Sequence, residues 1–233
     1  MLPQNPPKRL VVLTGAGMSA ESGIETFRGA GGLWEGHRVE EVATPEAWER
    51  NPDLVLRFYN ERRKKLMQSE PNAGHSMLAA WEQFMSVQIV TQNVDDLHER
   101  AGSTDVLHLH GELMKGRSSR TTRPPWPLNH WEMKRSDRCP DGHPVRPHIV
   151  WFGESVPNMA SALPVVQAAD FVLVIGTSLQ VYPAAQLAFE AAPGVPVCLV
   201  DPAAETLGVP GAILIAAGAS AGLHAINAHW FPA

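Results

Sequence analysis

The sequence predicts a doubly wound α/β fold, a parallel sheet carrying a smaller inserted lobe, on three observations. Short β-branched runs recur without apolar–polar alternation, as strands buried on both faces do. Helix-like stretches separate several of them, the rhythm of strand–helix units. The first run ends in a glycine-rich turn, Gly15-Ala16-Gly17-Met18-Ser19-Ala20, between a strand and a possible helix, which makes the fold Rossmann-like.

The elements follow in chain order. Strands are expected over residues 10–14, 87–91, 105–109, 171–175, 195–200 and 212–215, and helices over 72–84, 95–101 and 183–191. Residues 37–71 read as helical and polar, and Asn51-Pro52-Asp53 supplies an N-cap, a proline at N1 and an acid in the first turn. Residues 113–148 are rich in Arg, Pro and Trp and lack a period. Both segments interrupt the alternation. They are expected to form a small domain, leaving 1–36, 72–112 and 149–233 to the Rossmann-like domain, with the active site in the cleft between.

Composition excludes several classes. Apolar residues make up 44% of 233, enough for a sizeable core and against disorder. Nineteen basic against 24 acidic side chains give a net charge of −5, which argues against a nucleic-acid binder. No apolar run approaches the roughly 18 residues of a membrane span, and the N-terminal run is too short for a signal peptide. Two cysteines, Cys139 and Cys198, make no disulfide framework. A soluble cytoplasmic protein is expected. No heptads or self-complementary patch mark an oligomer.

The turn at Gly15, Ala16, Gly17 and Ser19 satisfies G-x-G-x-x-G/A, whose glycines allow close approach to a pyrophosphate and whose N–H groups bind it. A dehydrogenase would place a second strand and an acid about 20 residues further on. The chain instead runs ESGIETFRGAGGLWEG, glycine-rich and strand-free. Dinucleotide binding fits; a hydride-transfer layout does not follow. The second informative stretch is TQNVDDLHERAG, where a buried strand ends in Gln92, Asn93, Asp95 and Asp96. Unpaired polar groups are costly there, yet no nucleophile is near. A capped helix start explains part of it: Asn93 or Asp95 as N-cap, Asp96 near the dipole.

GAGMSAESGIETFRG, TQNVDDLHERAG, HLHGE, IVWFGE and GTSLQVYPAA occur in this order over almost the whole chain. Together they resemble the sirtuin family, the NAD-dependent protein-lysine deacylases, and its bacterial branch above all. The resemblance implies that the substrate supplies the nucleophile: the carbonyl oxygen of an acylated lysine attacks C1′ of the nicotinamide ribose, nicotinamide leaves, and the acyl group passes to ADP-ribose. It assigns Asn93 to the ribose and an ordered water, Asp95 to the nicotinamide amide, and Gln92 to the same site. His110, in HLHG, matches the general base, although His108 alternates with it and could serve by spacing alone. Phe27 and Arg28 match the family's flexible cofactor loop, with Gly29, Gly31 and Gly32 beside them. Gly176, Thr177 and Ser178 match the pyrophosphate side. Asp201 stands where many sirtuins carry Asn and should repel a 2′-phosphate, so NAD is expected over NADP. Ala219 borders the adenine by the same likeness. Val150, the segment Trp151-Phe152-Gly153-Glu154 and Leu179-Gln180-Val181 match the two segments that sandwich the substrate peptide as an added strand. The implied partners are acylated-lysine proteins. Two other readings share these residues: ADP-ribosyl transfer to another acceptor, and a non-catalytic NAD-binding module.

The family's zinc pattern is broken. Of two expected Cys-x₂-Cys pairs, Ser118 or Ser119 stands in the first, and the second reads Cys139-Pro140-Asp141-Gly142-His143. Cys139, His130, His143 and His148 match no standard spacing, so no metal is expected. Pro124, Pro125, Pro127, Trp126 and Trp131 are expected to stiffen the lobe instead. Finally, Val55, Tyr59, Arg62 and Leu66 fall on one helical stripe, with Arg63, Lys64 and Lys65 expected on a solvated face. Tyr-x-x-Arg sets a phenol beside a guanidinium, a good carboxylate fork, and matches the pair by which one sirtuin class recognises succinyl- and malonyl-lysine. Removal of acidic acyl groups alongside acetyl is expected.

Overall fold

The computed structural model describes residues 1–26, 34 and 36–232. Its elements are β1 (Arg9–Thr14), α1 (Val39–Val42), α2 (Pro45–Arg50), α3 (Pro52–Gln68), α4 (Ala73–Trp81), β2 (Ser86–Thr91), α5 (Leu97–Ala101), β3 (Val106–His108), β4 (Gly111–Ser118), β5 (Trp126–Pro127), β6 (Val145–Ile149), α6 (Met159–Gln167), β7 (Phe171–Ile175), β8 (Val197–Val200), β9 (Ile213–Ile215) and α7 (Ala219–Trp230). Six strands form one sheet in the order β3-β2-β1-β7-β8-β9, with every neighbouring pair parallel. The winding reverses between β1 and β7, so a crevice opens at their carboxyl ends, where doubly wound sheets bind ligands.

Side chains alternate between two apolar layers. Leu10, Val12, Leu173 and Ile175 face α4 and α7, packing on Leu78, Trp81, Leu223, Ile226 and Trp230. Val11, Leu13, Val172 and Val174 face the other way, onto Ala162 and Val166 of α6 and onto Leu187. A fully buried Val or Leu contributes about 1.5–3 kcal/mol, which is why uninterrupted apolar runs make the central strands. Among the described residues, no helix is long and apolar enough to cross a membrane.

The expected helix over 183–191 is a 3-10 turn, Ala184–Phe189. Its buried pairs, Ala184 with Leu187 and Ala185 with Ala188, are three apart, the repeat that a 3-10 helix eclipses onto one side. Two helices, α6 and α7, lie where the sequence suggested none.

Helix α3 begins as expected: Asn51 Oδ1 accepts from the Leu54 N–H at 3.1 Å, with Pro52 at N1. Its stripe of Val55, Tyr59, Arg62 and Leu66 is buried. Arg63 departs from expectation, since it is fully buried rather than solvated. Its Nε donates to the Trp131 carbonyl at 2.7 Å, and its Nη atoms reach the Leu113 carbonyl and Asn60 Oδ1. Carbonyls left over from irregular backbone need donors, and a five-donor guanidinium supplies several at once.

The segment read as aperiodic folds into an antiparallel sheet, β5-β4-β6. Beneath it Leu56, Met133, Cys139 and Val145 form a small core, flanked by Trp48, Trp126 and Leu128. Trp131 is not part of that core; it is 38% exposed, with the Lys64 ammonium 5.7 Å from its ring centroid.

Candidate active site

A cleft of about 420 Å³ opens at the switch point. Its floor is made by two glycine loops in backbone contact. Gly15 N–H donates to the Ile175 carbonyl at 3.0 Å, and Gly17 N–H to the Gly176 carbonyl at 2.8 Å. A Cβ on Gly17 would stand 2.6 Å from Gly176 Cα, and one on Gly15 2.7 Å from the Gly176 carbonyl oxygen. Gly176 itself has φ +59°, the left-handed region that favours glycine. These glycines are therefore demanded by the fit of loop on loop as well as by anything bound above. The cradle fits a pyrophosphate, with the short 3-10 turn Ala16–Met18 following the first loop.

The end of β2 is locked into this floor. Thr91 Oγ1 accepts from Thr14 Oγ1 at 2.8 Å and from the Asn93 N–H at 3.0 Å. Asn93 Nδ2 then donates to the Gly15 carbonyl and to Ser19 Oγ, each at 3.1 Å. Ser19 Oγ donates onward to Asp95 Oδ2 at 3.0 Å. Burial raises the Asp95 pKa, against the hydrogen bonds from Ser19 and from the Leu97 N–H. Gln92 Nε2 donates to Thr177 Oγ1 at 3.1 Å, tying β2's end to the β7 loop. The helix-start reading survives in part. Asp95, through Leu97 N–H at 3.3 Å, bonds the start of α5. Asp96 occupies the N-cap position without a side-chain cap bond and sits 3.8 Å from Arg100.

The two histidines part company here. His110 Nδ1 lies 3.1 Å from the Gln92 carbonyl, which can only accept, so Nδ1 carries the proton and Nε2 is left basic. Burial lowers the His110 pKa, keeping the ring neutral. The following Gly111, at φ +81°, lets the chain pass against the His148 carbonyl. His108 instead faces Glu99, with Nε2 2.7 Å from Oε1 and Nδ1 3.0 Å from the Asn93 carbonyl. It does not line the cleft.

The opposite end of the cleft is aromatic and basic. Tyr59 is fully buried, and its hydroxyl accepts from Trp151 Nε1 at 3.0 Å. The Arg62 guanidinium lies 4.3 Å from the Trp34 ring centroid. Ile24 and Ala43 complete that end.

The cleft brings together Gly15, Ala16, Gly17, Gln92, Asn93, Asp95, His110, Gly176, Thr177, Ser178 and Asp201, and with them Tyr59, Arg62, Val150, Phe152, Gly153 and Val181. Ser19 stands one layer behind, acting on Asn93 and Asp95. Ala219 is buried at the start of α7 and packs in the sheet core rather than lining the cleft. Phe27 and Arg28 lie outside the described residues. Thr91 was not among the expected site residues, and Trp151, expected only as part of the peptide-binding segment, also bonds Tyr59. Thr91 was legible: a threonine two residues before Asn93 is placed to bond that residue's N–H.

Among the described residues, no zinc-ligand set gathers in the small lobe. Ser118 Oγ accepts from the Arg120 and Thr121 N–H groups, each at 3.2 Å. Cys139 N–H donates to the His143 carbonyl at 2.9 Å, and the Gly142 N–H to the Cys139 carbonyl at 2.8 Å. Two knuckle-like turns therefore exist, but together they present one thiol. Among the described residues, the one cluster with metal-ligating side chains is Glu99, His108 and Glu112.

Residues 15–183 match the Sir2 family. The chain belongs to that family. It is 54% identical over 200 residues to the NAD-dependent protein deacylase of Bacteroides thetaiotaomicron, covering 84% of this chain and 86% of that relative. It is 56% identical over 196 residues to the NAD-dependent protein deacylase of Aggregatibacter actinomycetemcomitans, covering 84% and 94%. A Sir2 homolog–NAD complex superposes with a TM-score of 0.87 at 38% identity, over 96% of this chain and 90% of that one. A Sir2 protein with a deacetylated p53 peptide and 3′-O-acetyl ADP ribose superposes with a TM-score of 0.80 at 28% identity, over 95% and 93%. The doubly wound sheet with its small antiparallel companion is the Sir2 fold.

Proposed function

We propose that this Sir2-family chain is an NAD-dependent protein-lysine deacylase that removes acetyl groups and, through Tyr59 and Arg62, succinyl and malonyl groups. The observation that carries the reading is the His110 ring, held by Gln92 so that its unprotonated Nε2 borders the cleft that the glycine loops floor. Two NAD-dependent protein deacylases above 50% identity support it.

NAD, when bound, supplies the glycosidic bond to nicotinamide that the acyl-lysine oxygen breaks. Gly15, Ala16, Gly17, Gly176, Thr177 and Ser178 hold its pyrophosphate by backbone and hydroxyl groups. Asp201, at the end of β8, takes ribose hydroxyls; its Oδ1 also accepts from the Ala203 N–H at 2.8 Å. Asn93 and Gln92 orient the second ribose, and the Asp95 carboxylate accepts from the nicotinamide amide. His110 Nε2 takes the proton from a ribose hydroxyl, and its lowered pKa keeps that site open at neutral pH. Val150, Phe152, Gly153 and Val181 border the acyl-lysine peptide, which adds as a strand. Residues 37–71 and 113–148 form the small lobe, and the apolar cluster of Leu56, Met133, Cys139 and Val145 holds it in place of a zinc.

The acidic preference rests on Arg62, largely buried at 7% exposure and stacked on Trp34 beside the Tyr59 phenol. The test is nicotinamide release with acetyl- and succinyl-lysine peptides of one sequence. Release requires the acyl peptide and stops in His110→Ala. Arg62→Met lowers the succinyl-to-acetyl ratio of kcat/KM by about 10-fold or more, the loss of a charged hydrogen-bond partner. Full turnover in His110→Ala refutes the mechanism, and an unchanged ratio in Arg62→Met removes the carboxylate site.

A further inference from the structure

We propose that Trp151 is a specificity-determining positioning residue. Its indole N–H fills the acceptor side of the Tyr59 hydroxyl and turns the phenol's hydrogen toward the acyl end of the cleft. The hydroxyl is then set to donate beside the Arg62 guanidinium, and the two take acyl chains that finish in an acceptor, above all a carboxylate. The inference rests on the acidic-acyl reading and deepens it.

An indole nitrogen donates and never accepts. The 3.0 Å contact from Trp151 Nε1 therefore fixes Tyr59 as the acceptor of that bond. The phenol has one hydrogen, which must point elsewhere. Tyr59 is fully buried and Trp151 is 2% exposed, so water does not compete for either group. Tyr59 borders the cleft together with Arg62, a side chain of donors only. Burial pushes the Tyr59 pKa up to about 12, against the Arg62 charge, so the phenol keeps its hydrogen at neutral pH.

The indole is itself held on three sides. The Arg146 guanidinium lies 3.5 Å from its ring centroid, and the Trp48 ring centroid stands 5.7 Å away. Arg146 grips Glu154 through both Nη atoms at 2.8 and 2.9 Å, and the Ile149 carbonyl at 2.9 Å. Glu154 Oε2 also accepts from the Trp151 N–H at 2.8 Å. The ring that aims Tyr59 is thus clamped by a charge pair at its own strand end. A planar, fork-shaped cation is needed for stacking and bidentate pairing at once.

The experiment compares kcat and KM on succinyl- and acetyl-lysine peptides for wild type, Trp151→Phe, Tyr59→Phe and the double variant. Phenylalanine keeps an aromatic ring beside Arg146 and loses the N–H together with part of the indole's bulk, so Tyr59→Phe and the double variant separate the hydrogen bond from the packing. Trp151→Phe lowers the succinyl-to-acetyl ratio of kcat/KM by about 5- to 10-fold, chiefly through KM for the succinyl peptide. The double variant has the ratio of Tyr59→Phe, because both changes act on one hydroxyl. An unchanged ratio in Trp151→Phe, with a lowered ratio in Tyr59→Phe, overturns the role of Trp151 and leaves the acidic-acyl reading standing. Wild type without desuccinylation overturns that reading, and this inference with it. If Trp151→Phe does not fold, Arg146→Lys serves instead: it loosens the stacked indole and lowers the same ratio, and an unchanged ratio there overturns the proposal.

Discussion

Replacing His108 by asparagine removes a charge whose effect on stability is confined to a pH window. The ring bridges two acceptors, the Asn93 carbonyl and Glu99 Oε1, and satisfies both only when both nitrogens carry protons. Burial opposes that charge, but the hydrogen bond and charge of Glu99 outweigh it, so the His108 pKa is raised. Burial likewise pushes Glu99 up, and His108 brings it below the usual carboxylate value. Glu112 also faces the ring with its own partner Lys115, and Asp95, Asp96 and His98 act on it from the loop and from α5. A raised histidine pKa stabilises the fold fully below the unfolded value of about 6.5, and the effect is lost as pH rises through the folded value. Glu99 works in the opposite sense: its contribution is present above about pH 4.3 and is lost as pH falls through its lowered value. The pair is strongest between about pH 4.3 and 6.5.

A hydrogen bond to a charged group contributes about 1.5–3 kcal/mol. The Glu99 side chain is 40% exposed, so screening reduces this to about 1 kcal/mol. In His108→Asn the new amide keeps a donor for the Asn93 carbonyl and loses Glu99, which lowers Tm by about 2–4 °C near pH 6. The deficit shrinks as pH rises through the raised folded value of His108, where wild type loses the proton too. His108→Leu adds about 1–3 kcal/mol at every pH, because the Asn93 carbonyl is then buried without a donor. Thermal melts of the three proteins across this range make the comparison. His75, His98, His110 and His148 are all lowered, with burial the leading cause, so their contributions grow as pH rises to about 6.5 and then level off. A deficit in His108→Asn that does not shrink at all as pH rises above about 6.5 to the alkaline limit of folding refutes the charged pair.

Two further outcomes are expected. Gly17→Ala forces a Cβ to within 2.6 Å of Gly176 Cα, so overpacking costs about 1–3 kcal/mol and NAD affinity falls by about 10-fold, read by melting and calorimetry; wild-type values in both refute the loop-on-loop fit. Purified protein retains well under one zinc per chain by elemental analysis, and stoichiometric zinc overturns the metal-free lobe.

What could be read from the sequence followed its physical period. The central strands were legible because Val11 to Leu13 and Val172 to Val174 are apolar on both faces, a signature that needs no partner to interpret. The QN-x-D stretch was legible because it ends such a strand in groups that cannot be left dry. Helix α7 was missed although Ala219, Leu223, Ile226 and Trp230 follow a helical stripe. Its Gly222 and Ser220 suggest a loop, and Gly222 is there because α7 crosses so near Val200 that a Cβ would collide. Arg63 was misjudged because a charged run looks solvated from one dimension; its carbonyl partners Leu113 and Trp131 are far along the chain. The β5-β4-β6 sheet was hidden for a similar reason: GELMKGRS of β4 and VRPHI of β6 carry charged residues and no clean alternation of apolar and polar, and β5 is two residues long. The two histidines of HLH could not be separated by spacing, and the separation comes from what each faces, Gln92 or Glu99.

The seam between the first and second glycine loops sets the order in which the protein becomes competent. Gly15 and Gly17 are made before their backbone partners Ile175 and Gly176, which stand far along the sequence. Until then the nascent chain carries a phosphate loop with no wall behind it, and β1 waits with one edge open until β7 arrives. Contacts of such long sequence separation close slowly. A nucleotide that binds only the closed seam favours the closed chain, by about 2.7 kcal/mol at a hundred times its Kd. Cellular nucleotide level would then bear on how much of this chain reaches its finished state, before any substrate is met.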